Sequence, residues 1–325
     1  MEPMHMPIAQ VQLGRTEIEI PALGIGTWPW GQKFLWGYGT DYGEAELRGA
    51  YQAALDAGLT FFDTAEVYGG GNSERLLGRF IAERPDRPVV ATKFNPMLPI
   101  RFRKDALLGA LRQSLERLQL PSVDLYQIHT PYSLAPMTTW MAALGDAMDA
   151  GLTRAVGVSN FSALQMVHAH ALLEKRGIPL AANQVHFSLL HRAPETTGLL
   201  DVCRDLGITL IAYMPLAHGL LTGKYTLDHL PSGLRGRLYR RKELAAVTPL
   251  VRALRRIGEA HGGRTPAQAA LNWVICKGAV PIVGVKTATQ VVENAGALGW
   301  HLTADEEAEL DGLSNDIQWI VKTWW

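Results

Sequence analysis

The chain has 325 residues, 47% of them apolar, with 31 basic and 31 acidic side chains and a formal net charge of zero. That length and apolar content allow one large α/β barrel or two ordinary domains, and the zero charge argues against a nucleic-acid binder that relies on a basic surface. No apolar run reaches membrane-spanning length, and "MEPMHMPIAQ" lacks a signal-peptide layout; Cys203 and Cys276 lie outside any CxxC or Cys/His cluster, so free thiols in a reducing, cytoplasmic compartment are expected.

In chain order, "VQLGRTEIEI" (11–20) reads as a small hairpin ahead of the first strand, plugging a barrel floor. Eight short strand candidates follow, at 22–27, 60–63, 89–93, 124–129, 155–159, 182–186, 209–213 and 280–283. Amphipathic helices separate them. In "DALLGALRQSLERLQL", from Asp105, the residues Ala106, Leu107, Ala110, Leu111, Leu115 and Leu118 form one apolar stripe. One phrase recurs: "DAGLTFFDTA" at Asp56, "DAGLTRAVGVSN" at Asp149 and "DLGITLIAYMPL" at Asp205. Each is a helix end, a Gly able to take the left-handed cap, and an apolar run suited to a buried parallel strand. Eight strands alternating with helices predict a single α/β domain over 1–325, a (β/α)8 TIM barrel. The alternative, a doubly wound sheet, would carry a glycine fingerprint after its first strand. "GIGTWPWG" (24–31) lacks that spacing and no helix follows it. The segment 220–243 is long, weakly periodic and rich in Gly and Arg, and reads as a loop covering the barrel mouth.

Catalytic side chains of such barrels stand at the C-terminal ends of strands. There the second strand brings Asp63, with Tyr68 in the loop behind it, the third brings Lys93 and the fourth His129. A free phenol is a poor acid at neutral pH. An adjacent ammonium is expected to lower its pKa, a carboxylate would hold that ammonium in place, and an imidazole could bond a carbonyl oxygen. The four together describe a tuned general acid acting on a carbonyl. Taken singly, Lys93 could equally belong to a structural ion pair and His129 to a satisfied core. "GGGNSERLLG" (69–78) has no Lys followed by Ser or Thr, so it is no Walker phosphate loop. Its glycines are expected to turn the chain tightly under Tyr68, with Asn72 or Ser73 capping the helix. No His, Cys or carboxylate grouping has metal-ligand spacing on one element.

The order of "FFDTAEVYG", "TKF", "DLYQIH", "GVSNF", "NQVHFSLL", "YMPLAHGLLTGKY" and "VGVKTATQVVENAGAL" resembles the aldo-keto reductase superfamily over nearly the whole chain. The resemblance implies that Tyr68 donates a proton, assisted by Asp63, Lys93 and His129, and that hydride comes from NADPH rather than NADH, without a Rossmann domain. It places Ser159, Asn160 and Gln184 on the nicotinamide carboxamide and Tyr213 under its ring. Met214, Pro215, Leu216, Ala217 and Gly219, with Lys224 in the lid, match the segment around the pyrophosphate. Gly284, Lys286, Thr287, Gln290, Glu293 and Asn294 match the adenosine end, and Gly26, Thr27 and Trp28 the loop beside nicotinamide and substrate. Positions 287–294 hold no Arg, so Lys286 is left to meet the 2′-phosphate as a point charge.

The Arg-rich "GLRGRLYRRK" (233–242) suits a pyrophosphate, Arg235 above all, or is a solvated charged loop. Aromatic residues crowd the expected substrate side. Trp28, Trp30, Trp36 and Tyr38 lie within 27–39, Tyr132 follows His129, and the tail "IQWIVKTWW" holds three more tryptophans. They are packing residues or walls for aldehydes and ketones with aromatic or apolar bodies; Trp28, Tyr68, His129 and Tyr132 are the substrate candidates. The tail wording resembles cyanobacterial and plastid-like members, some similar to pyridoxal reductases. Two other readings stay open: an NADPH-binding regulatory protein similar to potassium-channel β-subunits, and a barrel of lyase or isomerase chemistry.

Overall fold

The computed structural model describes residues 8–231 and 233–320, apart from the side chains at 34, 35 and 233–235. Tail residues Trp324 and Trp325 therefore lie outside the described residues. An antiparallel pair, β1 (Gln10–Gln12) and β2 (Glu19–Pro21), precedes eight parallel strands. These are β3 (Gly24–Gly26), β4 (Phe61–Asp63), β5 (Val89–Phe94), β6 (Val123–Ile128), β7 (Thr153–Ser159), β8 (Leu180–His186), β9 (Thr209–Tyr213) and β10 (Val280–Gly284). They close in the order β10-β3-β4-β5-β6-β7-β8-β9, with helices between them, which is the expected (β/α)8 barrel.

The strands read as continuous apolar runs because both faces are covered, one by helices and one by the barrel interior. Side chains two residues apart point the same way along a strand. One layer of the interior is apolar: Phe61, Ala91, Leu125, Ala155, Ala182, Ile211 and Ile282. Two residues further along, the same strands bring Asp63, Lys93, Gln127, Gly157, Gln184 and Tyr213 to the next layer. The switch from apolar to polar within each strand builds a floor and then a site above it. Leu13, Ile18 and Ile20 of the hairpin pack into the apolar layer, so the hairpin plugs the bottom as expected. Gly14 makes that entry possible. Its φ is +59°, and a Cβ there would stand 2.5 Å from the Ala181 carbonyl oxygen.

The segment 220–243 is more helical than expected. A 3-10 stretch ends at Thr222, a short helix runs Gly233–Leu238, and a long one, Arg241–Ala260, begins where the Glu243 carboxylate accepts the Arg240 N–H at 2.9 Å. Leu244, Val247, Leu250 and Leu254 bury one face of that long helix, an apolar stripe that starts inside the presumed loop.

Candidate active site

At the C-terminal rim a cavity of about 440 Å³ is lined by side chains from the ends of most barrel strands. Asp63 and Lys93 form a buried ion pair beneath it, and Lys93 Nζ also donates to the Thr64 carbonyl at 2.8 Å. The Tyr68 hydroxyl stands 3.5 Å from Lys93 Nζ, and its ring meets that of His129 edge-on at 5.7 Å. The four predicted residues therefore converge.

The loop carrying Tyr68 is fixed from both sides. On one side the Glu66 carboxylate accepts the Asn95 N–H at 2.7 Å and two Arg101 N–H groups at 2.5 and 3.0 Å. On the other, Gly69, Gly70 and Gly71 all take positive φ, and a Cβ on Gly69 would lie 2.9 Å from the Gly31 carbonyl. The expected cap is corrected here. Gly71 stands at the N-cap of the helix Asn72–Ala82, with no side-chain cap. Ser73 is instead turned inward to the Thr27 and Thr64 hydroxyls, at 2.7 and 2.9 Å. Glu74 is buried as well, accepting Thr92 Oγ1 at 2.6 Å and pairing with Arg117 at 2.6 Å.

Burial raises the Asp63 carboxyl and lowers the Lys93 ammonium, each toward neutrality. Their mutual attraction opposes this, as do the amide N–H groups that Gln184 and Gln127 donate to Asp63 at 2.8 and 3.4 Å. The ammonium was expected to lower the Tyr68 pKa. The phenol is instead held well above 10, by burial first and by the Asp63 carboxylate next. It stays protonated at neutral pH, and the ammonium acts on the phenolate as it forms.

Burial and the Lys93 charge push His129 from 6.5 down to about 3, so the imidazole is neutral. Between these two values the unfolded chain binds a proton that the folded chain refuses. This part of the stability is complete above the unfolded pKa and is lost as pH falls toward the folded one, by up to ~1.4 kcal/mol per pH unit. His129→Gln should therefore lose less stability than wild type between about pH 7 and pH 5, measured as denaturation midpoints. Equal losses in the two proteins would contradict the buried neutral imidazole.

Beyond this group, Ser159 Oγ donates to the Gln184 carbonyl at 2.8 Å, and Asn160 Nδ2 donates to Ser159 Oγ at 3.1 Å. The Tyr213 hydroxyl donates to Asn160 Oδ1 at 2.9 Å. The Tyr213 ring is backed by His186 (5.4 Å, 18°), which is backed in turn by His191 (4.2 Å, 11°). The chain past Tyr213 bends sharply, with positive φ at Met214, Ala217, His218 and Gly219. Lys224 reaches over this bend; a Cβ on Gly219 would meet Lys224 Cε at 3.0 Å. On the β10 side, Lys286 Nζ donates to the Trp36 carbonyl at 2.7 Å, and its backbone N–H donates to Gln290 Oε1 at 2.7 Å.

The cavity wall includes Gly26, Trp28, Asp63, Tyr68, His129, Ser159, Asn160, Gln184, Tyr213, Met214, Pro215, Leu216, Gly219, Lys224, Gly284, Lys286, Gln290, Glu293 and Asn294. Lys93 lies just behind it, fully buried. Four expected contacts are not on the wall. Thr27 is buried, its hydroxyl donated to the Asp63 carbonyl at 2.9 Å, and Ala217 is buried within the bend. Thr287 accepts the Gln290 N–H as the N-cap of the helix Ala288–Ala295. Tyr132 is 65% exposed, outside the wall. Arg235 is on the short helix Gly233–Leu238, its side chain outside the described residues. Arg237, Arg240, Arg241 and Lys242 do not line the cavity, in keeping with a solvated charged segment. Trp30 is core, its indole N–H donated to the Val285 carbonyl at 3.0 Å.

Sequence reasoning missed Pro29, Trp36, His218, Thr222, Ala267, Ile282 and Val283 on the wall. Trp36 and His218 lie inside stretches already singled out, the aromatic run 27–39 and "YMPLAHGLLTGKY". Ala267 lies in the first turn of the helix Pro266–Cys276, distant in sequence from the strand end before it, and carries no signal. Among the described residues no helix is long and apolar enough to cross a membrane, and Cys203 and Cys276 are free thiols.

Known proteins share this architecture. The pyridoxal reductase, chloroplastic, of Arabidopsis thaliana is 42% identical over 322 residues, 95% of this chain and 87% of that protein. The glycerol dehydrogenase AKR11B4 of Gluconobacter oxydans superposes with a TM-score of 0.81 at 27% identity, covering 95% of each chain. The aldo/keto reductase of Klebsiella pneumoniae in complex with NADP and acetate gives 0.73 at 29% identity, covering 95% of this chain and 96% of the other. Residues 22–315 match the Aldo/keto reductase family, and with the barrel closed over that whole span the chain belongs to this family.

Proposed function

We propose that the protein is an NADPH-dependent carbonyl reductase that converts aldehydes and ketones to alcohols, with Tyr68 as proton donor. The observation that carries this reading is the Tyr68 hydroxyl beside Lys93 Nζ, at 3.5 Å, on the wall of a cavity large enough for a substrate. The rest of the wall suits a nicotinamide dinucleotide. Lys224 and Lys286 supply cations for phosphates, the flat face of Tyr213 suits an aromatic ring, and Ser159, Asn160 and Gln184 offer amide and hydroxyl partners. The relative bound to NADP supports the same cofactor. When bound, the reduced nicotinamide supplies a hydride for the carbonyl carbon.

The chain's own residues handle the proton. Tyr68 gives its hydroxyl proton to the carbonyl oxygen, and the phenolate left behind is stabilised by the Lys93 ammonium. Asp63 keeps that ammonium charged and aimed, with Gln184 and Gln127 fixing the carboxylate. Neutral His129 leaves Lys93 as the cation beside the phenol.

Trp28 and Trp36 make an aromatic wall suited to small aromatic aldehydes. The similarity to a protein named pyridoxal reductase supports a place among plastid-like members and makes pyridoxal the first aldehyde to try. Free thiols at Cys203 and Cys276 agree with work in a reducing compartment such as the cytoplasm.

The reading is tested by titrating NADPH and NADH against tryptophan fluorescence. NADPH is expected to quench at lower concentration than NADH, because Lys286 meets the additional phosphate. Equal affinity would remove the basis for NADPH preference, and no quenching by either would revive a barrel of different chemistry.

A further inference from the structure

Trp36 belongs to two parts of the cavity at once. Its indole meets Trp28 edge-on at 5.5 Å and 76°, and Trp28 lies 6.3 Å from the Tyr68 ring, so the pair walls the space beside the proton donor. Its backbone carbonyl accepts Lys286 Nζ at 2.7 Å. The same ammonium lies 5.4 Å from the Trp36 ring centroid and 4.3 Å from that of Tyr42. Tyr42 in turn donates its hydroxyl to the Pro29 carbonyl at 2.5 Å, next to Trp28. One cation thus grips the aromatic loop through a carbonyl and two ring faces.

The interaction with a neutral carbonyl or ring is weaker than that with a phosphate, which adds a full Coulomb attraction and a shorter, charge-assisted bond. Resting on the reading of Lys286 as the partner of the dinucleotide's 2′-phosphate, we propose that Lys286 couples the phosphate end of the cavity to its substrate end. A phosphate drawn to the ammonium loosens its grip on Trp36. The 2′-phosphate thereby sets the position of the Trp36–Trp28 wall and the fit of the carbonyl substrate. Trp36 is then a specificity-determining residue, and Lys286 a positioning residue for it.

The binding probe is adenosine 2′,5′-bisphosphate, which carries the phosphate without a nicotinamide ring. Titrated into wild type it should change tryptophan emission. Trp36→Phe, which keeps the backbone carbonyl, should bind it within about twofold by calorimetry yet lose most of that change. An emission change that survives intact in Trp36→Phe overturns the proposal. In turnover, the wild-type KM for an aromatic aldehyde should differ by about three- to tenfold between NADPH and NADH, the scale of one aromatic contact. Lys286→Met should erase that difference; a ratio unchanged in Lys286→Met also overturns the proposal. If wild type turns over no carbonyl at all, the reductase reading fails, and the bisphosphate titration alone still decides whether Lys286 is coupled to Trp36.

Discussion

Tyr68→Phe is expected to lower kcat for carbonyl reduction by about 10²- to 10⁴-fold, the range of a positioned general acid. The substitution removes one oxygen atom and keeps the ring. The edge-on contact with His129 and the packing beside Trp28 remain, so the fold and dinucleotide affinity should hold. The Tyr68 hydroxyl lies on the cavity wall above Lys93, and the phenol is held protonated at neutral pH by its burial. Loss of kcat with NADPH binding unchanged separates proton donation from a role in cofactor binding. A variant that kept wild-type kcat would show that another group, or water, delivers the proton.

Lys93→Met should lose both activity and stability. Its ammonium is fully buried and is spent on Asp63, which has side-chain exposure of only 2%. Removing one member of a buried pair leaves an uncompensated charge, typically at a loss of about 3–5 kcal/mol. Activity should fall with it, because the ammonium beside the Tyr68 hydroxyl is the one placed to receive the phenolate. Asp63→Asn combined with Lys93→Met removes both charges, so part of the stability should return while activity stays lost. Thermal or denaturant melts of the three proteins read the first effect and steady-state rates the second. If Lys93→Met were as stable as wild type, the pair would not be ionised in the resting protein.

Much of the barrel was legible because parallel strands covered on both faces must be short apolar runs. The seventh barrel strand, β9 (Thr209–Tyr213), lies where the sequence puts it. The first barrel strand was read as 22–27 and is β3 (Gly24–Gly26); the Ala22 N–H bonds back to the Ala9 carbonyl at 2.9 Å, so that end belongs to the hairpin. Asp63, Lys93 and His129 stood out only as a set: each alone fits a structural ion pair or a satisfied core, but with Tyr68 they fall at or beside the ends of neighbouring strands. What escaped is long-range. Nothing in the sequence links Glu74, next to the helix start, to Arg117, which reaches it from 43 positions away. The upward shift of Tyr68 depends on how deeply the site is buried, which no motif records. Trp36 looks like its neighbours in an aromatic run until Lys286 is seen bonded to its carbonyl. The basic run 233–242 is attractive as a phosphate clamp, but its described side chains stand off the wall while Lys224 and Lys286 line it.

Product stoichiometry shows whether this cavity reduces a carbonyl. Wild-type protein is incubated with NADPH and pyridoxal or a simple aromatic aldehyde, and NADPH loss and alcohol formation are both followed. One alcohol should form per NADPH consumed, with Tyr68→Phe nearly silent beside it. Tight NADPH binding with no alcohol from a broad panel of aldehydes and ketones would rule out a reductase and point to a cofactor-binding regulatory protein on the same scaffold.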